Sequence, residues 1–253
     1  MKPIYIKLRE QAKRIAAKFK HPEFYTQFAA ECALSKRIFF ADKTIIRCRK
    51  FLESILVDDF GHGMVHAKKV ALDAGALIGV EASALFDSRK ALEHGVMTAQ
   101  LAALLHDTKR GEKNHAQKGA EAAHLTLKDY SLTTTEMEDI VLAIANHEAF
   151  TEPVPSTHPF GQTLSDILHD ADKFRWGMDN LTETVWRIYS YNGRPLEDLV
   201  AYFPEGMKGV AKIRETFRSE TGKQYGPEFI DIGLEIGKEI YQYLKQDGFV
   251  KSP

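Results

Sequence analysis

The sequence predicts an all-α protein built as a helical bundle. Apolar residues recur at helical spacing along almost the whole chain, and no convincing run of alternating apolar and polar residues indicates a strand. Start and stop signals for helices recur between the apolar runs, and no internal repeat or low-complexity tract is present. With 253 residues, the chain is long enough to bury a sizeable core, so we expect one all-α domain over 1–253.

Three regions follow one another within this predicted domain. Residues 1–57 carry helical segments rich in Lys and Arg, and we interpret them as an N-terminal helical extension. Residues of about 58–180 hold most of the ten histidines, so the chemistry is expected in this core. Residues 181–253 return to amphipathic patterns and are predicted to form C-terminal helices.

Individual elements have local signals. Thr133 and Glu136 have the spacing of a capping box, which predicts a helix start just before the apolar run from Ile140. The stretch 152–161 contains three prolines and is the clearest break in the chain, and a new helix is expected after Thr163. Two long amphipathic helices are predicted after the turn at 193–195.

Composition excludes several functional classes. The formal net charge is -1 and the hydrophobic fraction is 44%, so no basic field points to a nucleic-acid surface or an anionic membrane. Cys32 and Cys48 could form one disulfide, but they do not resemble a secreted disulfide framework. Without a signal-peptide pattern or a long uncharged apolar run, we expect a cytoplasmic protein with no membrane partner.

One strongly apolar helix ends in a pair of polar residues. The run from Leu101 closes with His106 and Asp107, and buried His and Asp are costly unless they are paired, hydrogen-bonded or bound to metal. Three other segments of similar character supply His66, His147 and Asp172. Nitrogen and oxygen donors of this kind suit Mn, Fe, Co, Ni or Zn, so these residues predict a metal site assembled from separate helices.

The order of these motifs resembles the HD-domain metal-dependent phosphohydrolase superfamily. A His followed three residues later by a basic residue and Val, then an apolar-His-Asp element, then Ala-Asp-Lys, occur in the family's order over residues 58–180. The resemblance implies a helical bundle of the HD type that binds one or two divalent transition-metal ions. The implied core ligands are His66, His106, Asp107 and Asp172, and His115 and His147 match the two extra histidines of some members.

The resemblance also implies an activity. We expect hydrolysis of a nucleotide or another small phosphoester by water activated at the metal. The residues expected to act in the reaction are Asp107, His115 and His147. Cations expected to bind the phosphate are Lys109, Arg110 and Lys173. The helices after Gly193 would cover the pocket, form a homodimer interface or simply pack in the core.

Two assignments in this set are open. His62 lies one helical turn before His66 and is the alternative first ligand, although only His66 has the basic-Val continuation. His169 and Asp170 form a second His-Asp pair close to Asp172 and could be mistaken for ligands. We expect His169 to pack against the site rather than to bind the metal. Gly63 excludes a His-Glu-x-x-His zinc motif, which requires Glu at that position.

Two other functions compete with hydrolysis. One is a di-iron oxygenase on the same scaffold, since His and Asp ligands suit two irons as well. The other is a non-catalytic binding or regulatory module that retains the metal ligands. Within the hydrolases, the Gly-Tyr-Pro signature of cyclic-dinucleotide phosphodiesterases is missing after His147, and too few residues remain for the second domain of alarmone enzymes. A stand-alone phosphohydrolase is therefore the favoured interpretation.

Overall fold

A computed structural model describes residues 1–55 and 63–246 of the chain. All regular secondary structure in these two ranges is helical, which confirms the all-α class. Besides a short 3-10 helix at Ser83–Leu85 and a π-helical segment at Asn180–Thr184, the α-helices are α1 (Pro3–Ala16), α2 (Phe24–Gln27), α3 (Ala29–Ala41), α4 (Lys43–Ile55), α5 (Met64–Glu81), α6 (Arg89–Leu105), α7 (His115–Leu127), α8 (Thr134–Ala145), α9 (Pro159–Phe174), α10 (Val185–Tyr191), α11 (Leu196–Ile213) and α12 (Glu220–Gln246).

Helices α5 and α6 form the centre of the bundle. They pack against each other, with α3 and α9 on α5 and with α8 on α6. The last eleven residues of α6, from Gly95 to Leu105, are all buried, as expected for a helix that is apolar on every side. Close approach of α3 and α5 depends on Gly75, because a Cβ there would overlap the hydroxyl of Ser35.

Two predicted helix starts have different outcomes. The Thr133 hydroxyl accepts a hydrogen bond from Glu136 N (3.2 Å) and Glu136 Oε2 accepts one from Thr133 N (2.7 Å), which confirms the capping box. The next helix does not begin after Thr163, as expected, but at Pro159. Proline has no N–H to lose at a first helical position, so the last proline of the predicted break starts α9 instead of blocking it.

The apolar core has two parts that share α12. The larger cluster joins α2 to α9 and includes Phe229 and Ile230 of α12. A smaller cluster joins α1, α10 and α11 to a different stretch of α12, with Ile232 and Ile236 fully or almost fully buried. Helix α12 therefore packs against the central helices with one stretch and against α1, α10 and α11 with another.

Two expectations from composition concern cysteines and membranes. Cys32 and Cys48 are both free, so no disulfide joins them. Over residues 1–55 and 63–246, none of the helices combines the length and the apolar character that crossing a bilayer requires.

Candidate metal centre

The predicted metal ligands all lie near helix ends on one side of the bundle. His66 is in the first turn of α5, and His106 and Asp107 follow α6 directly. The remaining three are His115, which begins α7, His147, two residues after α8, and Asp172 near the end of α9. All six are at most half-exposed, and five of them are buried.

Four of these residues form one group of facing donor atoms. His66 Nε2 lies 3.4 Å from His106 Nε2 and 3.2 Å from Asp172 Oδ1. Asp107 Oδ2 lies 3.7 Å from His66 Nε2 and 3.5 Å from His106 Nε2. We call these four residues the first ligand group.

Asp107 also belongs to a second ligand group with His115 and His147. Its other oxygen, Oδ1, lies 3.6 Å from His115 Nε2 and 3.6 Å from His147 Nε2. The carboxylate therefore has one oxygen facing each group. This is the arrangement in which a carboxylate can bridge two ions or link one ion to two further imidazoles.

The imidazole rings are oriented with Nε2 toward the cluster. His106 Nδ1 donates to Ala103 O (2.7 Å) and His147 Nδ1 donates to Ile144 O (2.6 Å), which leaves the lone pair on each Nε2. Within the described residues, the buried His147 Nε2 has no hydrogen-bond partner. Backbone carbonyls orient metal-binding histidines in this way, and a buried nitrogen acceptor without a donor is costly unless something else binds it.

The spacing of the donors fits a metal ion. A cation with bonds of about 2.0–2.2 Å holds neighbouring ligand atoms roughly 3 to 3.6 Å apart. The contact distances run from 3.2 to 3.8 Å, the longest being between His106 Nε2 and Asp172 Oδ1, and are close to this range. The donors that all lie near one another are those of His66, His106 and Asp107 in the first group and of Asp107, His115 and His147 in the second, with Asp172 beside the first set. Imidazole and carboxylate donors together suit Mn, Fe, Co, Ni or Zn, so these residues could hold one or two such ions.

Charges in the first ligand group favour a positive species at its centre. Burial acts to raise the pKa of Asp172, but Lys173 and His66 outweigh it and bring that pKa well below its usual range. Burial lowers the pKa of His66 despite Asp172, which favours a neutral imidazole with a lone pair to offer. For His106, Asp107 and Asp172 outweigh burial and raise its pKa. Ionised carboxylates thus favour a cation among these imidazoles.

A pocket of about 270 Å³ opens onto the cluster. Of the three predicted phosphate-binding cations, Arg110 and Lys173 line it. Arg110 Nη1 donates to His115 Nε2 (2.8 Å), the atom that would otherwise face an ion in the second ligand group. Lys109 is not among the lining residues and pairs instead with Glu112 (3.3 Å).

Lys173 is a buried residue that hydrogen-bonds to members of both ligand groups. Its ammonium donates to Asp172 Oδ2 (2.6 Å) and to His147 O (2.9 Å), and the residue is only 2% exposed. These contacts orient a carboxylate of one group and the backbone of the other. The position of a phosphate relative to Lys173 stays a prediction.

The two open assignments differ in what the structure says of them. His62 lies outside the described residues. His169 is fully buried and contacts Asp170 (3.0 Å between Nδ1 and Oδ1). Asp170 in turn accepts hydrogen bonds from the backbone N–H groups of Arg218 and Ser219, so this second His-Asp pair anchors the start of α12.

Several residues near the site were not predicted from the sequence. Glu148 Oε1 lies 3.2 Å from His115 Nδ1 and so can orient that ring. The outer pocket wall includes Phe150, Trp176, Asn180 and Thr184. Adjacency in the chain could have indicated Glu148, which directly follows His147, and Trp176, which lies four residues after Asp172, whereas no sequence signal indicated the other three. A positive φ at Phe150 (63°), rare for an aromatic residue, is visible only in the structure.

Arg218 fixes the loop that carries His147. Its guanidinium donates to the carbonyl oxygens of Asn146 (2.8 Å), Glu148 (3.3 Å) and Thr151 (3.2 Å). These three carbonyls lie on both sides of His147 in the chain. A single side chain just before α12 therefore fixes the backbone of a ligand from the second group.

Comparison with known proteins gives no relative for this chain. No protein-family model matches it. Searches of curated proteins and of solved structures likewise found no significant match. The helical fold and the buried His/Asp cluster are compatible with an HD-type protein.

Proposed function

We propose that this chain is a metal-dependent phosphohydrolase acting on a small phosphate ester, nucleotides included. The observation that carries the proposal is the position of Asp107. Its two oxygens lie 3.5 to 3.7 Å from imidazole nitrogens of both ligand groups, and three of these histidines, His66, His115 and His147, line the pocket. A bound divalent cation supplies a Lewis acid, which polarises a phosphoryl oxygen and lowers the pKa of a water molecule in its shell.

Binding of the cation is assigned to the first ligand group. His66 and His106 would offer Nε2 lone pairs, and Asp107 and Asp172 would offer carboxylate oxygens that balance the positive charge. Lys173 limits the freedom of Asp172 through its 2.6 Å hydrogen bond. These residues are buried, so the ligands need little reorganisation when the cation binds.

Arg110 is the residue best suited to receive the phosphate. Its side chain is 36% exposed, lines the pocket and lies 3.8 Å from Asp107 Oδ1. The planar guanidinium can donate two parallel hydrogen bonds to phosphate oxygens, which balances the charge that develops during transfer. A phosphate anion would draw Arg110 away from His115 Nε2.

Release of Arg110 would leave His115 available for proton transfer. Glu148 Oε1 lies 3.2 Å from His115 Nδ1 and can orient the ring, while burial and the Arg110 guanidinium lower the pKa of His115. Once Arg110 has moved to the phosphate, His115 Nε2 would take up a proton from water and donate it to the oxygen of the leaving alcohol. His147 Nε2 stays on the metal side, since its ring is fixed through Ile144 O.

The test is metal analysis beside a hydrolysis assay. Purified protein is expected to contain near-stoichiometric transition metal and to hydrolyse phosphoesters in a panel with added Mn, Co, Ni or Mg. Asp107→Asn should lose both the metal and the hydrolysis. Asp139→Asn is the matched control, because Asp139 is also a buried carboxylate near a histidine, 3.7 Å from His158 Nδ1, but belongs to neither ligand group.

Three outcomes would contradict the proposal. Two irons per chain with oxygen consumption and no hydrolysis would favour the di-iron oxygenase. Stoichiometric metal without turnover on any phosphoester would favour a non-catalytic module. Absence of bound metal and of metal-stimulated turnover would reject the metal centre itself.

A further inference from the structure

One wall of the pocket is a row of four side chains spaced four residues apart. Trp176, Asn180, Thr184 and Ile188 all line the same cavity as the ligand groups. We call these four residues the recognition row. It continues the chain that leaves α9 just after Asp172, so it begins beside a ligand and leads away from the cluster.

The recognition row depends on the π-helical segment. In an α-helix, residues four apart are offset by about 40° around the axis, because one turn holds 3.6 residues. Trp176 lies in the turn after α9, and over the two steps from Asn180 to Thr184 and Ile188 the drift would reach about 80° and carry side chains away from the pocket. The segment Asn180–Thr184 is π-helical, with more residues per turn, and opposes the drift. Such segments are rare and occur often at functional sites.

The recognition row is uncharged, and the cations near it are already paired. Arg175 forms ion pairs with Asp73 and with Asp179 (2.8 Å between Nη1 and Oδ2), and Lys173 is bound to Asp172. Among the described residues that line the pocket, Arg110 at the metal end has the most exposed cationic side chain, at 36%. The described lining therefore favours a negative charge on the substrate at that end and an uncharged group against the recognition row.

The recognition row offers both hydrogen bonds and apolar area. Asn180 has an amide and Thr184 a hydroxyl, each able to donate and to accept. Neither side chain is hydrogen-bonded to another described part of the protein. Trp176 and Ile188 flank them and can pack against a flat or apolar face. A neutral polar group thus has partners ready on this wall.

From these observations, and on the premise that the proposed hydrolase function holds, we infer that the substrate is a small phosphate monoester with an uncharged, hydrogen-bonding organic part. Asn180 and Thr184 determine this specificity. A volume of about 270 Å³, just under the usual range for small-molecule pockets, fits a phosphate with one small organic arm. The neutral wall disfavours a second phosphate, a carboxylate or an ammonium on that arm.

The experiment compares kcat/KM across a charge series of monoesters. The probes are a sugar phosphate and a nucleoside monophosphate as neutral substrates, 3-phosphoglycerate as the anionic one and phosphoethanolamine as the cationic one. Wild type should prefer the neutral probes by at least tenfold. Asn180→Asp should shift the ratio of phosphoethanolamine to sugar phosphate at least tenfold toward the cation. Thr184→Val should lower kcat/KM for the hydroxyl-rich sugar phosphate several-fold, but not for phenyl phosphate.

The matched control comes from the same π-helical segment. Glu183 points to α1, where it pairs with Lys13 (2.7 Å), so Glu183→Gln should leave every substrate ratio unchanged. Calorimetric binding of the same probes to metal-loaded protein provides a readout independent of turnover. Binding with the expected preference but without hydrolysis would overturn the proposed function and retain this inference. Equal ratios in wild type and Asn180→Asp, in either readout, would overturn the inference alone.

Discussion

We expect His169→Asn to remove much of the acid sensitivity of the folded state. His169 is fully buried, and its Nε2 has no hydrogen-bond partner among the described residues. Protonation would therefore bury an N–H without an acceptor. Burial is the largest cause that lowers the pKa of His169, to about 4, although its contact with Asp170 opposes the shift.

The magnitude follows from proton linkage. The pKa of His169 is 6.5 in the unfolded state and about 4 in the folded state. As the pH falls, the unfolded state is therefore protonated before the folded state. Stability contributed by neutral His169 is complete above pH 6.5 and is lost on acidification toward pH 4. From pH 6.5 down to pH 5, an interval of about 1.5 pH units, the unfolded state takes up a proton while the folded state stays mostly neutral. This difference lowers the free energy of unfolding by about 2 kcal/mol.

Urea unfolding at pH 7.5 and at pH 5, with a chelator at both, measures this loss. Cavity formation in His169→Asn affects both pH values, so it cancels in the difference. The wild type should lose about 2 kcal/mol more than the variant. His21→Asn, which changes an exposed histidine, should behave like wild type. Equal losses in wild type and His169→Asn would refute the assignment of this acid sensitivity to His169.

Three further predictions test the packing, the pocket rim and the His147 loop. Gly222→Ala should lower the free energy of unfolding in urea by about 1–3 kcal/mol, because the added Cβ would overlap the Asp170 carboxylate. Its control is Gly209→Ala, which has open space around the added Cβ and should stabilise α11 by roughly 0.5–1 kcal/mol. Phe150→Asn should raise KM but not lower the melting temperature, since Asn tolerates a positive φ and the lost ring is 69% exposed. Arg218→Lys should weaken metal binding about tenfold in a chelator competition, with unchanged circular dichroism, because an ammonium cannot reach three carbonyls in the planar geometry of a guanidinium.

Local sequence signals predicted much of the fold. Helical periodicity identified the class, and the capping box at Thr133 located the start of α8, because both depend on neighbours within a few residues. Proline at 159 shows the limit of such signals. Proline is disfavoured in a helix interior and favoured in the first turn, and the sequence alone left that choice open at Pro159.

The candidate site was predictable to the extent that its residues are costly to bury. His106 and Asp107 stood out because an apolar helix leads directly into them, and His66, His147 and Asp172 were related to them by the order of motifs. The structure brings these side chains together. Arg218 was not predictable, because its role depends on contacts with carbonyls about 70 residues earlier in the chain. The recognition row required knowledge of a π-helical segment, for which no sequence signal was identified.

The anchoring of the His147 loop by Arg218 has a consequence for biosynthesis. All six candidate ligands precede Arg218 in the chain, so they leave the ribosome before the residue that fixes the His147 loop. The hydrogen bonds that Asp170 accepts also come from residues made later, because their donors are the backbone N–H groups just before α12. A nascent chain that stops before this point would carry every metal donor without the final arrangement. The backbone support of the His147 loop is therefore completed only when the chain has been made as far as residue 218.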